Sequence, residues 1–469
     1  MKSSNKKHLA LAAALLLSAG ALASCGNSDS ANRKKVEAAV ADAENLTRDE
    51  LMKKAAVELG TNEFKFLATT SRGGKDPVKN GFVAELNKYN KDIKATQIKY
   101  DSTVDGQVYT TLSGEIDSGT HGYNAAIVQD GYQLQKKGID AKRFINYVPK
   151  EWKDDKDTNK DVDSNPMSLQ YNFKTWMVNN KNKDTVIDNV WDIASKKYKG
   201  KLDTMDPRNE NVNMDWLIML TQDSWCDNLK TCFEDASNDA KSEIDIEAYK
   251  SYGDKKKYAY AFIAKFIENA TFYADDGKAI NNLIKTPGNI GWIVYSKLLT
   301  IQETEKTTKK DITVAPLGEG NEDGSTIASS AMKGFGGFMY KHYLQVMPTA
   351  DYPYTACAFL NYISTTKTGY SQWASDVGDY PTMPSINLNR TKNGHGTLVD
   401  AKDKDGNSYK KLVQKDDDPN LFPCLNDPSG SWWNDSSKGN AVIETPSYIA
   451  PQYPAVRQFI DKALASKGK

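Results

Sequence analysis

The chain has 469 residues, a length that allows two or three domains of about 100–200 residues each. Lys plus Arg and Asp plus Glu both total 61, so the formal net charge is zero. This balance argues against a nucleic-acid-binding protein and against attachment to a membrane surface through basic residues. Only four histidines occur, and no two of them are close in sequence, which disfavours most catalytic and metal sites that depend on histidine.

The first 24 residues have the layout of a secretory signal peptide. Lysines near the start are followed by an apolar run from Leu9 to Leu17 and by small residues up to Ser24. The run is too short to span a membrane, which takes about 20 apolar residues. The segment Leu22-Ala23-Ser24-Cys25 resembles the lipobox of bacterial lipoproteins, which implies that Cys25 is lipidated and becomes the mature N-terminus. We therefore expect an extracytoplasmic protein that a lipid on Cys25 anchors to a bacterial membrane.

Four further cysteines lie in the body of the chain: Cys226, Cys232, Cys357 and Cys424. An even number in an exported chain permits three disulfide pairings. Isolated buried thiols are the open alternative. The chain has no Cys-x-x-Cys motif, so zinc or thioredoxin-like chemistry has little support.

The first half of the chain alternates helices and strands after a polar stretch from Gly26 to about Asn45, which we interpret as a tether. The capping box from Thr47 to Glu50 predicts a helix that ends at Gly60. Strands are predicted at Phe64 to Thr69, Ile93 to Tyr100 and Ala125 to Val128, with helices at Pro77 to Tyr89 and Asp105 to Glu115. This alternation predicts right-handed crossovers and a mainly parallel sheet, and therefore an α/β fold.

Polar residues follow each of these predicted strands. In parallel sheets, ligands bind beyond the carboxyl ends of the strands. We therefore expect five residues to line one crevice: Ser71, Arg72, Asp101, Gln129 and Asp130.

The second half continues the alternation, with two polar interruptions. Extended segments are predicted at Tyr171 to Val178, at Gly200 to Met205 before Asp206-Pro207-Arg208-Asn209, and at Asn289 to Val294. The highly charged residues 227–257 are interpreted as an inserted, solvated element. Residues 387–445 are polar with little periodicity, and a final helix is predicted from Ala455 to Ala465.

Five motifs follow one another along the chain: Val190-Trp191-Asp192, Lys197-Tyr198-Lys199-Gly200-Lys201-Leu202, Asp206-Pro207-Arg208, Ala358 to Ile363 and Gly378 to Thr382. As a set, over roughly residues 62–386, they resemble the extracytoplasmic solute-binding proteins of bacterial ABC importers. The nearest branch in pattern takes polyamines, thiamine, ferric iron or phosphonates. The segments at 227–257 and 387–445 depart from the family pattern.

This resemblance implies an α/β, two-lobe periplasmic-binding-protein-like fold, with hinge strands and a ligand cleft between the lobes. The first crossing is expected near Met177 to Asn179 and the second near Ala331 to Phe338. The expected division is a signal peptide over 1–24; an anchor, tether and short helix over 25–61; the first part of lobe 1 over 62–178; lobe 2 over 179–332; a return to lobe 1 over 333–386; and a polar insertion with a C-terminal helix over 387–469.

Aromatic and charged residues at predicted strand and loop ends are the candidate ligand contacts. Rings give a cleft large rigid faces and attract an organic cation; the candidates are Trp176, Trp292, Tyr295, Trp373 and Tyr380, with core packing as the alternative for each. Counter-charge to a cation is expected from Asp130, Asp206 and Asp379. Arg72 and Arg208 instead suit a carboxylate or phosphate, Arg208 can equally be a structural partner of Asp206, and Asn209 can bind either ligand type.

The sequence predicts binding and gives no catalytic, cofactor or metal motif. We expect a monomeric protein that captures a small polar ligand, with an organic cation such as a polyamine or thiamine preferred, and passes it to an ABC permease. One alternative is an anchored glycan-binding or glycan-degrading lipoprotein. The Trp and Tyr content and the motif Ser431-Trp432-Trp433-Asn434 support this alternative. Other candidate ligands are a phosphonate, a sugar and ferric iron; for iron, Tyr352 and Tyr354 are the nearest tyrosine pair.

Overall fold

The computed structural model describes residues 31–103, 105–179, 187, 189–297, 312–314, 333–374, 379–386, 396–402, 408–414 and 441–467. The predicted signal peptide, Cys25, Cys424 and the Ser431 to Asn434 motif lie outside these residues. No helix within them is long and apolar enough to cross a membrane.

The first lobe has the alternation that the sequence predicts. Its parallel strands are β1 (Phe64–Ala68), β2 (Ile98–Ser102) and β3 (Ala125–Val128), with β1 in the middle. Its helices are α1 (31–43), α2 (Arg48–Leu59), α3 (Asp76–Leu86) and α4 (Asp105–Ser118). The capping box that starts α2 is present, because Thr47 Oγ1 accepts from the backbone N–H of Glu50 and the Glu50 carboxylate accepts from that of Thr47.

The polar tether predicted up to Asn45 needs a correction at its C-terminal part. Residues 31–43 are helical, and Val36, Val40 and Ala43 are buried in the core of the first lobe. These three residues are spaced four and three apart, so they share one helix face. The available signal was helix propensity, because five of the thirteen residues from 31 to 43 are alanine.

Two long strands run through both lobes. They are β5 (Ser168–Asn179) and β10 (Gly337–Val346), which pair antiparallel with each other. β10 also pairs with β3 of the first lobe, whereas β5 pairs with β8 (Ile290–Val294) of the second. The predicted crossing ranges overlap the end of β5 and the start of β10. The sheet order through both lobes is β2-β1-β3-β10-β5-β8-β6-β7, where β6 is Leu202–Met205 and β7 is Ala270–Tyr273.

Short elements complete the middle of the chain. The strands are β4 (Ile145–Asn146), beside β10, and β9 (Ile312–Val314), beside β5. The helices are α5 (Gly131–Gln133) continuing into a π-helical turn (Leu134–Ile139), α6 (Lys150–Asp154), α7 (Lys160–Asp163), α8 (Val190–Ile193), α9 (Asn211–Met219), α10 (Asp223–Glu234), α11 (Asn238–Glu243), α12 (Lys256–Asn269) and α13 (Asp276–Lys285).

The charged segment 227–257 is packed against the second lobe rather than solvated as predicted. It comprises most of α10, then α11 and a 3₁₀ segment (Ile246–Tyr252), and its apolar residues Leu229 and Cys232 are buried in the core of the second lobe. Charged side chains occupy the outer face of α10, and the buried face carries the packing. The segment therefore belongs to the helical layer of that lobe.

The C-terminal part returns to the first lobe and then crosses back. Helices α14 (Pro353–Thr365) and α15 (Lys367–Trp373) pack against α2 and α3. The following strands are β11 (Asp379–Pro381) beside β5, the hairpin β12 (Gly396–Lys402) and β13 (Ser408–Gln414), and β14 (Ala441–Ile443) beside β10. The last helix, α16 (Pro446–Lys467), is longer than predicted and contacts α5 as well as α9 and α12. It therefore bridges the lobes.

Candidate ligand site between the lobes

Strands from both lobes end at the middle of the shared sheet. β3 ends at Val128, which pairs with Tyr343 of β10, and β8 ends at Val294, which pairs with Lys174 of β5. Residues after β3 therefore lie close to the central parts of both crossing strands. This position, beyond the carboxyl ends of the parallel strands, is where an α/β sheet offers its ligand site.

Five polar side chains at this place form a hydrogen-bonded group, here named the junction network: Gln129, Gln170, Asn172, His342 and Asp379. His342 Nδ1 lies 2.8 Å from Asn172 Oδ1 and 3.2 Å from Gln170 Nε2, and His342 Nε2 contacts the Gln129 amide. Asn172 Nδ2 donates to Asp379 Oδ1 at 2.7 Å. Four of the five residues are buried and Gln129 is partly exposed. The network thus holds fixed amide and imidazole groups on the crossing strands, and Gln129 is its partly exposed member.

A second group, the lysine pocket, adjoins the network on the side of the second lobe. Lys174 is fully buried, and its Nζ lies 2.5 Å from Glu210 Oε2, 3.0 Å from Asn213 Oδ1 and 3.5 Å from Asp276 Oδ1. Glu210 and Asp276 stand at the starts of α9 and α13, where the helix dipole favours carboxylates. Burial raises the pKa of Glu210 to about 7, in spite of the attraction of Lys174.

A third group, the carboxyl cluster, consists of Asp130, Asp215 and Glu444, each at most 1% exposed. Asp130 follows β3, Asp215 lies on α9 and Glu444 follows β14. Asp130 has a φ of 71°, a left-handed conformation that a short polar side chain tolerates, and it accepts from Gln133 N at 3.0 Å. Burial raises the pKa of Asp130 and of Glu444 to about 6, and that of Asp215 well above its usual value.

The structure brings three predicted site residues to this junction. Gln129 and Asp379 belong to the junction network, and Asp130 belongs to the carboxyl cluster. The Asn211 amide of the second lobe donates to the Asp130 carboxylate. Asp130 is therefore a contact between the lobes as well as a candidate ligand residue.

Asp206, Arg208 and Asn209 form a separate group beside α16. Arg208 Nε lies 3.0 Å from Asp206 Oδ1, and the backbone N–H of Arg208 donates to the same oxygen at 2.8 Å. Burial raises the pKa of Asp206, but the hydrogen bonds and charge of Arg208 outweigh it and leave that pKa lowered. Asp206 and Arg208 therefore form an ion pair with each other, which is the structural role that the sequence left open for Arg208. Asn209 is exposed.

The predicted aromatic contacts lie in cores rather than on a cleft surface. Trp176 and Trp292 are 0% exposed, and their ring centroids are 4.4 Å apart in the core of the second lobe. Tyr295 and Tyr380 are at most 2% exposed and share one apolar cluster, while Trp373 is fully buried in the core of the first lobe. The expectation that these rings face the cleft is corrected, because each has its faces covered by apolar neighbours.

The remaining predicted residues are spread along the first lobe. Ser71 and Arg72 belong to a 3₁₀ turn (Ser71–Gly74) that follows the end of β1 after two residues, and their side chains lie outside the described part of the structure. The Asp101 carboxylate is 2.7 Å from Lys65 Nζ and 2.6 Å from the Tyr123 hydroxyl. Asp101 is thus held in an ion pair rather than in the junction network.

Metal and iron chemistry find little support in the described residues. Among them, no group of three or more His, Cys, Asp or Glu side chains is arranged to hold a metal ion. The Tyr354 hydroxyl donates to Asp42 at 2.9 Å, so Tyr354 is tied to the outer side of the first lobe. Cys226, Cys232 and Cys357 are free and buried, so these three are isolated thiols rather than members of disulfides.

Two cavities among the described residues lie away from the junction. One of about 600 Å³ is lined by α12, α16 and the Ile246–Tyr252 segment, with Tyr252, Phe459 and Lys467 on its wall. The other, of about 640 Å³, lies on α2 beside Tyr354. Neither contains a residue of the junction network.

Several central residues were not predicted from the sequence: Gln170, Asn172, Lys174, His342 and Glu444. Asn172 and Lys174 lie in the extended segment predicted from Tyr171 to Val178, and Gln170 directly precedes it. A period of two in polar residues inside an otherwise apolar strand was therefore the available signal. His342 stands in a similar place on β10. Glu444 follows the short apolar run Ala441–Ile443 within a segment that the sequence presented as uniformly polar.

Comparison with family models and with curated proteins gives no match to this sequence. Solved structures do match its fold. They include a Trichodesmium protein (IdiA, FutA) in complex with iron and citrate, at 11% identity over 86% of this chain and 99% of that one, with a TM-score of 0.52. Iron-bound HitA from Pseudomonas aeruginosa matches at 10% identity over 86% and 99% of the two chains, with a TM-score of 0.51.

A third match is the substrate-binding protein of an ABC transporter from Agrobacterium tumefaciens, at 11% identity over 86% of this chain and 94% of that one, with a TM-score of 0.50. At such low identity these matches bear on the fold alone. The matched chains are covered almost completely, so the likeness extends over both lobes and the crossing strands. The chain therefore has the α/β two-lobe fold of periplasmic binding proteins that its sequence predicted.

Proposed function

We propose that the protein is the solute-binding component of a bacterial ABC importer, which captures a small polar ligand outside the cytoplasm and delivers it to a permease. The proposed role is binding rather than catalysis, and the proposed active form is a monomer. The fold supports this role, because one structure with that fold is the substrate-binding protein of an ABC transporter.

The observation that carries the proposal is the junction network. Burying polar groups in strands costs about 1–3 kcal/mol for each group left without a partner, so polar residues are expensive in the middle of a sheet. Here Gln170, Asn172 and His342 are buried on the two strands that join the lobes. A ligand held by these residues would contact both lobes and both crossing strands.

The charges around the junction favour a cationic ligand. Asp130, Asp215 and Glu444 have no ion-pair partner among the described residues, and in the lysine pocket Glu210 and Asp276 face the single ammonium of Lys174. Carboxyl groups therefore outnumber cationic groups at this site. An organic cation such as a polyamine or thiamine would balance this excess of negative charge, whereas a phosphonate would increase it.

Iron is bound in two structures with this fold, those from Trichodesmium and Pseudomonas aeruginosa. For this chain we rank iron below an organic cation. The reason is that the described residues offer no group of three or more His, Cys, Asp or Glu side chains arranged for a metal, and the junction network is built mainly from amides. A sugar remains an alternative ligand, since amides bind hydroxyl groups well.

The N-terminal sequence supports a proposed location outside the cytoplasm. We propose that residues 1–24 direct export and that a lipid on Cys25 holds the protein at the outer side of a membrane. More than one acyl chain gives stable attachment. Acyl chains on the purified full-length protein, detected by mass spectrometry at Cys25 and lost in Cys25→Ser, would support this part of the proposal.

A thermal-shift screen tests the ligand. The exported chain, without residues 1–25, is heated with spermidine, thiamine, a phosphonate, a sugar and ferric citrate in turn. A ligand present at 100 times its dissociation constant stabilises the protein by about 2.7 kcal/mol. We expect an amine to raise Tm; a shift with a phosphonate, a sugar or iron and none with any amine would overturn the cationic preference.

Paired variants test the site. Gln129→Ala and Asn172→Ala should weaken binding of the amine at least tenfold, measured by calorimetry. The matched control is Asn269→Ala, because Asn269 is also a buried amide but donates to the Ile193 and Ser195 carbonyls within the second lobe. Its affinity should stay within about twofold of wild type. Unchanged affinity in both junction variants would show that the ligand binds elsewhere.

A further inference from the structure

Three chain segments that are far apart in sequence meet at the carboxyl cluster. Asp130 belongs to the first lobe, Asp215 to α9 of the second lobe, and Glu444 to the segment between β14 and α16. Contacts around the cluster cross these boundaries: Tyr132 N of the first lobe donates to Asp215 Oδ2 at 3.4 Å, and Gly131 N donates to Glu444 Oε1 at 3.4 Å. The cluster is thus an interface between both lobes and the C-terminal segment.

No cation within the described residues neutralises this cluster. The charged and titratable groups that face it are Lys137, Lys341, Tyr109, Tyr171, Tyr343 and Tyr453. Lys341 Nζ lies 3.0 Å from Asp163, so its charge is already paired, and the Lys137 ammonium binds the Gln133 amide. The Tyr343 hydroxyl donates to Glu444 Oε2 at 2.6 Å and brings no charge.

One acceptor in the cluster lacks a donor. Asp215 Oδ1 is buried and has no hydrogen-bond partner in the described part of the chain. Glu444 and Asp215 accept from the adjacent backbone N–H groups of Gly131 and Tyr132, so the two carboxyl groups meet at one turn of the chain. A hydrogen bond between them requires a proton on one of them. Carboxyl groups that share a site in this way cannot all be ionised, because each charge opposes the next.

We propose that Asp130, Asp215 and Glu444 form a proton-operated latch, in which a proton shared by the cluster holds the two lobes and the C-terminal segment together. The proton comes from solvent when the lobes join and returns to solvent when they separate. The bond made on joining is the hydrogen bond between carboxyl groups. When the lobes part, water hydrates the three carboxylates instead.

The sign of the pH dependence follows from linkage. Burial raises the pKa of Asp130 and Glu444 to about 6 in the joined state, above the ordinary values that apply when the groups are hydrated. The joined state therefore binds more protons, and its contribution is fully present at low pH and is lost as the pH rises through about 6. For one linked proton, the ratio of joined to separated lobes falls by up to about tenfold per pH unit above the ordinary carboxyl pKa. It levels off only above the pKa of Asp215, which burial and the charges of Asp130 and Glu444 raise well above its usual value.

The test uses the exported chain without ligand, so that it does not depend on the proposed function. The distance between dyes placed on the two lobes, for example at Lys88→Cys and Lys230→Cys in a chain whose native cysteines are replaced by serine, is followed from pH 5 to pH 8. We expect the distance to grow with pH in the wild-type sequence. Asp215→Asn, which removes the charge but keeps the shape, should keep the lobes joined at pH 8.

The matched control is Asp203→Asn. Asp203 is also a buried carboxyl with a raised pKa, caused by burial, but its partners Tyr273, Asn282 and Asn289 all belong to the second lobe. This variant should keep the wild-type pH response. An interlobe distance that stays constant from pH 5 to pH 8 in the wild-type sequence, or an equal loss of response in both variants, would overturn the latch. Glu444→Gln serves as the second latch variant if Asp215→Asn does not fold.

Discussion

Replacing Trp292 with alanine distinguishes two roles of its ring: a ligand contact in the cleft, as the sequence predicted, and a core residue, as in the structure. Trp292 is 0% exposed, with the Trp216 and Trp176 rings at 4.1 Å and 4.4 Å between centroids. A buried tryptophan covers up to about 250 Å², which corresponds to about 6 kcal/mol as an upper bound; measured losses for such truncations are about 3–5 kcal/mol.

We expect a loss of about 3 kcal/mol for Trp292→Ala, near the lower end of that range. The reason is that Trp292 Nε1 is buried without a hydrogen-bond partner in the described part of the chain, so its removal also relieves a desolvation cost of about 1 kcal/mol. Urea unfolding followed by circular dichroism gives the change in free energy. Trp292→Phe, which keeps a ring and removes the N–H group, should lose about half as much.

The result that would refute this reasoning is a Trp292→Ala protein of wild-type stability. If such a protein also lost its ligand, Trp292 would face the cleft, as the sequence suggested. If instead stability falls and the remaining folded protein binds ligand with wild-type affinity, the ring is a core residue only. Binding is therefore measured on the folded fraction well below the unfolding midpoint.

Three further outcomes are expected. Lys174→Met leaves the Glu210 carboxyl buried without its cation and should cost about 3–5 kcal/mol in urea unfolding, with a smaller loss at pH 5 than at pH 8 because Glu210 then takes up a proton. Arg208→Ala should change the free energy of unfolding by less than about 1 kcal/mol, since that side chain is 45% exposed. Burial raises the pKa of Cys226 to about 12 and of Cys232 to about 11, so peptide mapping should find both thiols unlabelled by iodoacetamide in native protein at pH 8 and labelled in urea.

The fold was predictable because its signals are local. Strand β3 has the bounds that the sequence predicted, Ala125 to Val128, since a short apolar run is followed at once by polar residues. Gln129 and Asp130 then reach the junction because a parallel strand places the residues after its last position at the carboxyl edge of the sheet. No knowledge of the other lobe is needed for that inference.

The rest of the site depends on contacts between distant segments. Glu444 reaches Gly131 across 313 residues of sequence, and nothing near residue 444 indicates which strand β14 joins. The sequence-based prediction put the aromatic residues on the cleft surface for a related reason. The sequence shows that Trp176 and Trp292 lie on strands, but it does not show which face of the sheet is covered. The rings are buried because α9 and α12 pack over that face.

The polar content of the crossing strands is itself an argument for function. β5 could carry apolar residues at positions 170, 172 and 174, as it does at Trp176, and a sheet with such residues would bury fewer groups that need partners. Instead Gln170, Asn172 and Lys174 succeed one another along the face that ends at the lobe junction, and their partners come from both lobes and from β11. Proteins accept such a cost mainly where a site needs fixed polar groups. The arrangement places ligand recognition and the joining of the lobes on the same two strands, so a ligand that engages Asn172 and His342 acts directly on the elements through which the lobes are connected.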